Sequence, residues 1–501
     1  MNIKEVKEEI KRSVEIYLDK NDFGEYNIPY MKQRPIFMVG APGIGKTAIM
    51  EQIASELDIA LVSYSMTHHT RQSAIGLPFI EEKCYNGQKF MVSEYTMSEI
   101  IASVYQVIDL SGKKEGILFL DEINCVSETL APAMLLFLQY KTFGNRRLPE
   151  GWVVVTAGNP PQYNKSVKEF DVATLDRLKC LEIEEDFGVW KAYAYQNNIH
   201  AAVITFLEVN PDWFYSVRAT VDGTQYVTAR GWEDLSRAIQ LYEKKKFKVD
   251  RNLIRQYITD VEIARKFGIY YDLFQKYQAN YRVDDILRGK NTAELVKRAN
   301  EAAFEERISL LGMILENLNM QFQQSIEWEN ILQRVVKELR SIKKQLKNES
   351  AEVPVLLERY MDKLHEEYKQ KENSYSLNTG QKREFLEIIK IMRRYQEECV
   401  RETEKETQFL IVKKCFTEQV KKHEKQVQTS KNALENAFTF LNNSWGTGQE
   451  LVLFMTNLTA NAVSMEFIEI WGSDSYFNYN KDLLVYDAHS NLKREIAELE
   501  C

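Results

Sequence analysis

The 501-residue chain has no uninterrupted apolar stretch approaching the roughly 20 residues that a bilayer-spanning helix needs, so no membrane segment is expected. Its first residues, MNIKEVKEEIKRSVEIYLDK, are charged throughout and read as an amphipathic helix rather than a secretory signal, which makes the cytoplasm the expected location. The six cysteines (Cys84, Cys125, Cys180, Cys399, Cys415 and Cys501) are scattered, with no Cys-x-x-Cys pair and no histidine at ligand spacing. Zinc and disulfides are therefore disfavoured, and reduced thiols are expected. Positive charge is also short, since 65 Lys and Arg face 73 Asp and Glu for a net charge of -8. A broad nucleic-acid surface needs clustered positive potential, so nucleic acid is not an expected partner, although a local basic patch would escape this count.

Proline is unevenly spent. Eight of the ten prolines lie at or before Pro161, and only Pro211 and Pro354 follow. Before that point, short apolar runs alternate with helical ones: PIFMV (35–39), IALVSYS (59–65), GILFL (116–120), WVVVTA (152–157) and CLEI (180–183). Strands that are apolar on both sides, separated by helices, predict a parallel sheet covered on both faces. After about residue 190 helical spacing takes over, as in Ile308, Leu311, Leu315, Leu318 and Phe322, then Ile331, Val335, Leu339, Ile342 and Leu346. The span 293–430 is rich in Glu, Lys, Gln and Arg with few breakers, which fits long helical hairpins or a partial coiled coil.

The strongest chemical signal is Gly40-Ala41-Pro42-Gly43-Ile44-Gly45-Lys46-Thr47, a G-x-x-x-x-G-K-[ST] sequence placed after an apolar strand and before the helical run AIMEQIASEL. Glycines at these positions let backbone N–H groups turn inward toward phosphate oxygens while the following helix directs its positive end at the same anion. Lys46 is expected at the β- and γ-phosphates and Thr47 at Mg²⁺. A second apolar strand, in GILFLDEINC (116–125), ends in Asp121, expected to hold Mg²⁺ through water, and Glu122, placed to polarise a water for attack on the γ-phosphate. Asn159, at the end of WVVVTAGNPPQYN (152–164), supplies a polar side chain within reach of that water, or alternatively a turn residue before Pro160-Pro161. Guanine is usually read by Asn-Lys-x-Asp, and the two Asn-Lys pairs, Asn164-Lys165 and Asn480-Lys481, lack the aspartate, so ATP is the expected nucleotide.

With GAPGIGKT, FLDE, LPEGWVVVTAGNP, ATLDRL (173–178) and TARGWEDLS (228–236), the chain resembles the AAA+ superfamily of ATPases over roughly residues 25–240, and within it the MoxR-like group. The implied fold is an α/β P-loop NTPase, an AAA+ parallel sheet with helices on both faces, followed by an α-helical lid and a long all-α C-terminal extension. On that reading residues 1–24 form an N-terminal helix, 25–188 the nucleotide-binding core, 189–290 the lid and linker, 291–439 the long helical region and 440–501 a helical cap. The resemblance makes Asn159 sensor 1, Arg177 an arginine finger acting on the neighbouring subunit, and Arg230 sensor 2 in the lid. Each arginine has a plainer alternative: a surface ion pair for Arg177, and pairing with Glu233 or Asp234 for Arg230.

A finger acting in trans implies a ring, usually of six subunits. Two stretches resemble family insertions: SMTHHTRQSAIGLPFIEE (65–82), where a helix-2 insert occurs, and YKTFGNRRLPEGW (140–152), which resembles the hairpin before sensor 1. Such loops would face a pore or partner. His68 and His69 have no apparent third metal ligand. No Asp-x-Ser-x-Ser metal motif occurs in the C-terminal half, so a von Willebrand A-type partner would be a separate protein. The expected activity is ATP hydrolysis driving remodelling or activation of a protein client. The alternatives are a nucleotide-controlled assembly scaffold and a DNA-directed ATPase. Within TARGWEDLS, Gly231 is expected to leave room for close approach of the phosphate and Trp232 to anchor the helix in the core of the lid.

Overall fold

The computed structural model describes residues 1–144, 146–163, 167–220, 223–348, 352–373, 379–400, 402 and 404–481. It divides into two compact units, one of residues 1–186 with 359–389 and one of residues 187–358 with those from 390 onward. Its strands are β1 (Ile36–Gly40), β2 (Ala60–Ser65), β3 (Pro78–Tyr85), β4 (Gln88–Tyr95), β5 (Gly116–Asp121), β6 (Thr142–Phe143), β7 (Arg146–Arg147), β8 (Trp152–Gly158), β9 (Lys179–Ile183), β10 (Ser216–Thr220) and β11 (Gly223–Val227).

In the first unit the five apolar runs of the sequence become one sheet in the order β2-β5-β8-β1-β9, with every pair parallel. Each strand divides its side chains between two cores, as the period of two requires. Ile36, Met38, Ile117, Phe119, Val153 and Val155 pack with Ile49, Met50 and Ile53 of helix Lys46–Glu56 and with Val6, Ile10 and Val14 of helix Ile3–Leu18. Phe37, Leu118, Leu120, Trp152 and Val154 face the other way, toward Ile100, Ile101 and Val104 of helix Glu99–Ser111 and Phe137 of helix Ala131–Tyr140. The α/β class expected from the sequence is therefore the observed one.

Both stretches read as insertions form antiparallel hairpins, β3 with β4 and β6 with β7. The first is longer than the sequence suggested, because its second strand runs to Tyr95. Helix Arg71–Ile75 stops at Gly76, whose φ of +100° and whose ideal Cβ position, 2.0 Å from the Thr96 carbonyl oxygen, admit only glycine. The chain then enters the hairpin, and helix Glu99–Ser111 follows it.

The second unit is mostly helical, including helices of 45 residues (Phe304–Asn348) and 41 residues (Lys405–Trp445). Long helices bury one stripe each, here through residues such as Leu311, Leu315, Leu318, Phe322, Leu434 and Phe438. Within the region expected as a helical lid, β10 and β11 add a short antiparallel hairpin that the helical pattern on either side concealed. No single helix among the described residues is long and apolar enough to cross a membrane.

One buried charge in the first unit has a measurable consequence. Lys141 caps helix Ala131–Tyr140 in a left-handed conformation and is only 2% exposed. Its Nζ donates to the Tyr30 carbonyl oxygen at 2.8 Å and lies 4.1 Å from the centre of the Tyr30 ring. Burial pushes the ammonium down from its ordinary 10.5 to about 7. Between those values the unfolded chain holds a proton that the folded chain has released, so this group makes stability rise with pH across that window. The limiting slope is about 1.4 kcal/mol per pH unit. The stability of Lys141→Met relative to the parent, from urea unfolding, should thus be most favourable near neutral pH and decline as pH rises toward 10. A difference that stays constant over that range would contradict the depressed amine.

Candidate functional site

The loop leaving β1 is shaped by glycine. Gly43 and Gly45 have φ of +77° and +97°, in the left-handed region that turns successive N–H groups toward one side. Gly45 is also the N-cap of helix Lys46–Glu56 and brings no side chain to its first-turn amides. Those amides and the positive end of the helix are thereby presented to an anion. Gly40 is required for another reason: a Cβ there would lie 2.8 Å from Ile44 Cδ1 and 2.9 Å from Ile183 Cβ, its register partner on β9.

Lys46 is 8% exposed, and its ammonium donates to the Gly40 and Ala41 carbonyl oxygens at 2.8 and 2.9 Å and to Asn159 Oδ1 at 2.9 Å. The adjacent Thr47 hydroxyl donates to Asp121 Oδ2 at 2.9 Å. Both are oxygen donors of the kind that suits Mg²⁺. Glu122 sits in a left-handed conformation at φ +56°, and its amide is held by Asp121 Oδ1 at 2.9 Å. Its Oε2 accepts hydrogen bonds from Ser65 Oγ at 3.0 Å and Thr67 Oγ1 at 2.8 Å.

Strand register explains why residues so far apart in sequence meet. Val39 is level with Gly158, Leu120 with Thr156, and Ser65 with Asp121. The carboxyl ends of β1, β2, β5 and β8 therefore open on one edge of the sheet, where ligands of open parallel sheets bind. The predicted Gly40–Thr47, Asp121, Glu122 and Asn159 all converge there. Three residues that sequence reasoning missed join them: Ser65, Thr67 and Asn124. Ser65 and Thr67 could have been suspected only from a polar end on the strand beside β5, and Asn124 from its place two residues after Glu122. Cys125, next to Asn124, has its thiol pushed up by burial and by the carboxylates of Glu122 and Asp121.

Each of the two predicted arginines has its own local setting. Arg177 is exposed and donates to the Ala173 carbonyl oxygen at 2.8 Å, following a short helix capped by Asp171. Arg230 belongs to the second unit and is exposed in the first turn of helix Ala229–Lys245, which Thr228 caps through the Gly231 amide. Glu233 and Asp234, its alternative partners, pair instead with Arg237. The reading of Gly231 is corrected: a Cβ there would lie 2.9 Å from the Tyr257 carbonyl oxygen, so the glycine serves helix packing within the lid. Trp232 is the expected anchor, fully buried, with its indole N–H donating to the Trp213 and Phe214 carbonyl oxygens at 3.3 and 3.2 Å. No group of three potential metal-ligating side chains occurs among the described residues. The side chain of His68 and the pair Asn164-Lys165 lie outside those residues, and so does the cap segment beyond 481.

Residues 36–169 match the profile of the AAA family, ATPases associated with various cellular activities. No curated protein matches the chain. Among solved structures, a provisionally assigned ATPase from Cytophaga hutchinsonii ATCC 33406 is 14% identical, covering 51% of this chain and 80% of that chain at a TM-score of 0.23, a likeness too slight to bear on function.

The packing at Gly40 gives a direct check. Gly40→Ala should lower stability by about 1–3 kcal/mol, the cost of forcing a methyl group into a filled site. Thermal unfolding of the purified variant reads it, and an unchanged Tm would show that the end of β1 yields at Ile183 without cost.

Proposed function

We propose that the chain hydrolyses ATP as a subunit of a MoxR-like ring and uses turnover to remodel or activate a partner protein. One observation carries this reading: Lys46, Thr47 with Asp121, Glu122 and Asn159 share one edge of a parallel sheet, directly beyond a glycine loop and a helix N-terminus. Backbone amides of Gly40–Thr47 would hold the phosphates. Thr47 and Asp121 would hold Mg²⁺, which when bound neutralises phosphate charge.

The residues of this chain then have definite tasks. Lys46 exchanges its carbonyl and Asn159 partners for phosphate oxygens, which releases the Asn159 carboxamide to orient a water. Two hydroxyl donors occupy the lone pairs of Glu122 Oε2, so Oε1 is the oxygen that takes up the proton of that water. A carboxylate in that position suits attack by water on the γ-phosphate.

Assembly is inferred from the surface around Arg177. Val172, on the short helix that precedes it, is 82% exposed, and Leu175 is 38% exposed. Apolar residues beside an exposed arginine suit a face covered by the next subunit, from which Arg177 would reach the neighbouring phosphate; six subunits is the usual count for such rings. Arg230, at the start of a lid helix anchored by Trp232, would report the nucleotide to the lid. Contact with a protein client, or with a separate von Willebrand A-type partner, is assigned to the hairpin of β3 and β4, where Ile80 and Met91 lie 71% and 72% exposed on one face. A cytoplasmic setting accompanies this reading.

Glu122→Gln should keep ATP binding and lose at least about 100-fold in turnover, within the range for a positioned general base. Phosphate release and a fluorescent nucleotide titration measure the two separately, and undiminished turnover would remove Glu122 from the role. For the ring, Arg177→Ala and Lys46→Ala should each be inactive, whereas a mixture should regain part of the activity because some interfaces unite an intact loop with an intact finger. Rings shown to mix without recovery would contradict action in trans.

A further inference from the structure

Asn124 stands at the centre of the site without being named by any motif used above. It follows Glu122 by two residues, in the one-turn helix Ile123–Cys125, and is 6% exposed. Its side-chain Nδ2–H donates to the Asn159 carbonyl oxygen at 2.8 Å, and its own carbonyl oxygen accepts the Lys168 amide at 2.9 Å. The carboxamide also lies flat against the backbone of Gly158. An ideal Cβ on Gly158 would be 2.5 Å from Asn124 Oδ1, 2.7 Å from Cγ and 2.8 Å from Nδ2. One residue thus grips the chain at Gly158–Asn159 and again at Lys168, on either side of the segment that leads from the end of β8 toward Arg177.

We infer that Asn124 is a positioning residue for hydrolysis, which fixes the peptide of Asn159 relative to Glu122. This rests on the hydrolytic reading above. The physical reason is connectivity. Asn159 and Glu122 must meet one water from two different strands, and the hydrogen bonds between strands end at Leu120 and Thr156, short of both residues. Past that point, Asn124 supplies a rigid tie, since its backbone is continuous with Glu122 and its amide is bonded to Asn159. A buried carboxamide between peptide groups loses little side-chain entropy in doing so, having two rotatable bonds. A displacement of about 1 Å in such a constellation costs on the order of 100-fold in rate.

The role predicts a split between binding and turnover. Asn124→Ala should lower kcat by about tenfold or more while ATP affinity, read by fluorescent-nucleotide titration, stays within about twofold, because the glycine loop and Lys46 are unchanged. Gly158→Ala should give the same phenotype by pushing the carboxamide off its seat. If the two act through one contact, the double variant will be no slower than the slower single variant, as expected for coupled neighbours. Asn124→Ala turning over at the parental rate, or single effects that multiply in the double variant, would overturn the inference. A fall in ATP affinity matched by a fall in Tm would overturn it as well, by showing a merely structural contribution. The parent and Glu122→Gln are measured in the same assay. Absence of turnover in the parent would defeat the hydrolytic reading together with this one, whereas parental turnover indifferent to Asn124 defeats this one alone.

Discussion

Parallel pairing of β1 with β8, and of β8 with β5, is the constraint on which the site depends. Parallel strands bring their carboxyl ends to one edge, and each end here terminates in a residue with chemistry: Gly40, Asp121 and, one step past the last strand residue, Asn159. The sheet can hold that register because both faces of its strands are buried, so a slip by one residue would exchange two different sets of core side chains at once. Burial on two sides thus fixes register, and register fixes the distances between Lys46, Asp121 and Asn159. The reactive groups need no long side chains to reach one another.

How much of this was legible in the sequence follows from where each interaction is encoded. The glycine loop is written in eight consecutive residues, and its flanking strand and helix are visible from composition, so Gly40–Thr47 could be assigned before any coordinates. The five apolar runs likewise announced five buried strands. Ser65, Thr67 and Asn124 could not be found this way, because each acquires its role from a partner more than 30 residues distant, chosen by strand order. The same limit explains Gly231. Its neighbourhood in sequence suggested room for a phosphate, while the atom that excludes a side chain is the carbonyl of Tyr257 on another helix. Short exposed hairpins such as β10 with β11 escaped notice since they bury too little to impose an apolar alternation.

The helical half of the chain obeys a different economy. Nucleation makes short isolated helices unfavourable, so helices of 45 and 41 residues are stable here through burial of one stripe each rather than through local propensity. Their sequence is correspondingly permissive: any apolar residue at the right spacing will serve, and polar residues can change freely on the outer face. Periodicity therefore revealed these helices while saying nothing about what they do. The α/β unit is the reverse case, where a few fixed side chains carry the chemistry.

Glu122 brings the two considerations together. A left-handed conformation is uncommon for a residue with a side chain and costs on the order of 1 kcal/mol or more, so it persists only where surrounding bonds over-determine it. Here the Asp121 carboxylate holds the amide, and the hydroxyls of Ser65 and Thr67 hold one carboxylate oxygen. The bend that this conformation creates at the end of β5 turns the chain directly into the one-turn helix carrying Asn124. Relaxing Glu122 to an ordinary extended backbone would continue the strand, carry its carboxylate away from β2 and withdraw Asn124 from Asn159. The strained residue thus sits where two adjacent acidic side chains serve different neighbours, Asp121 the Thr47 hydroxyl and Glu122 the hydroxyls of Ser65 and Thr67.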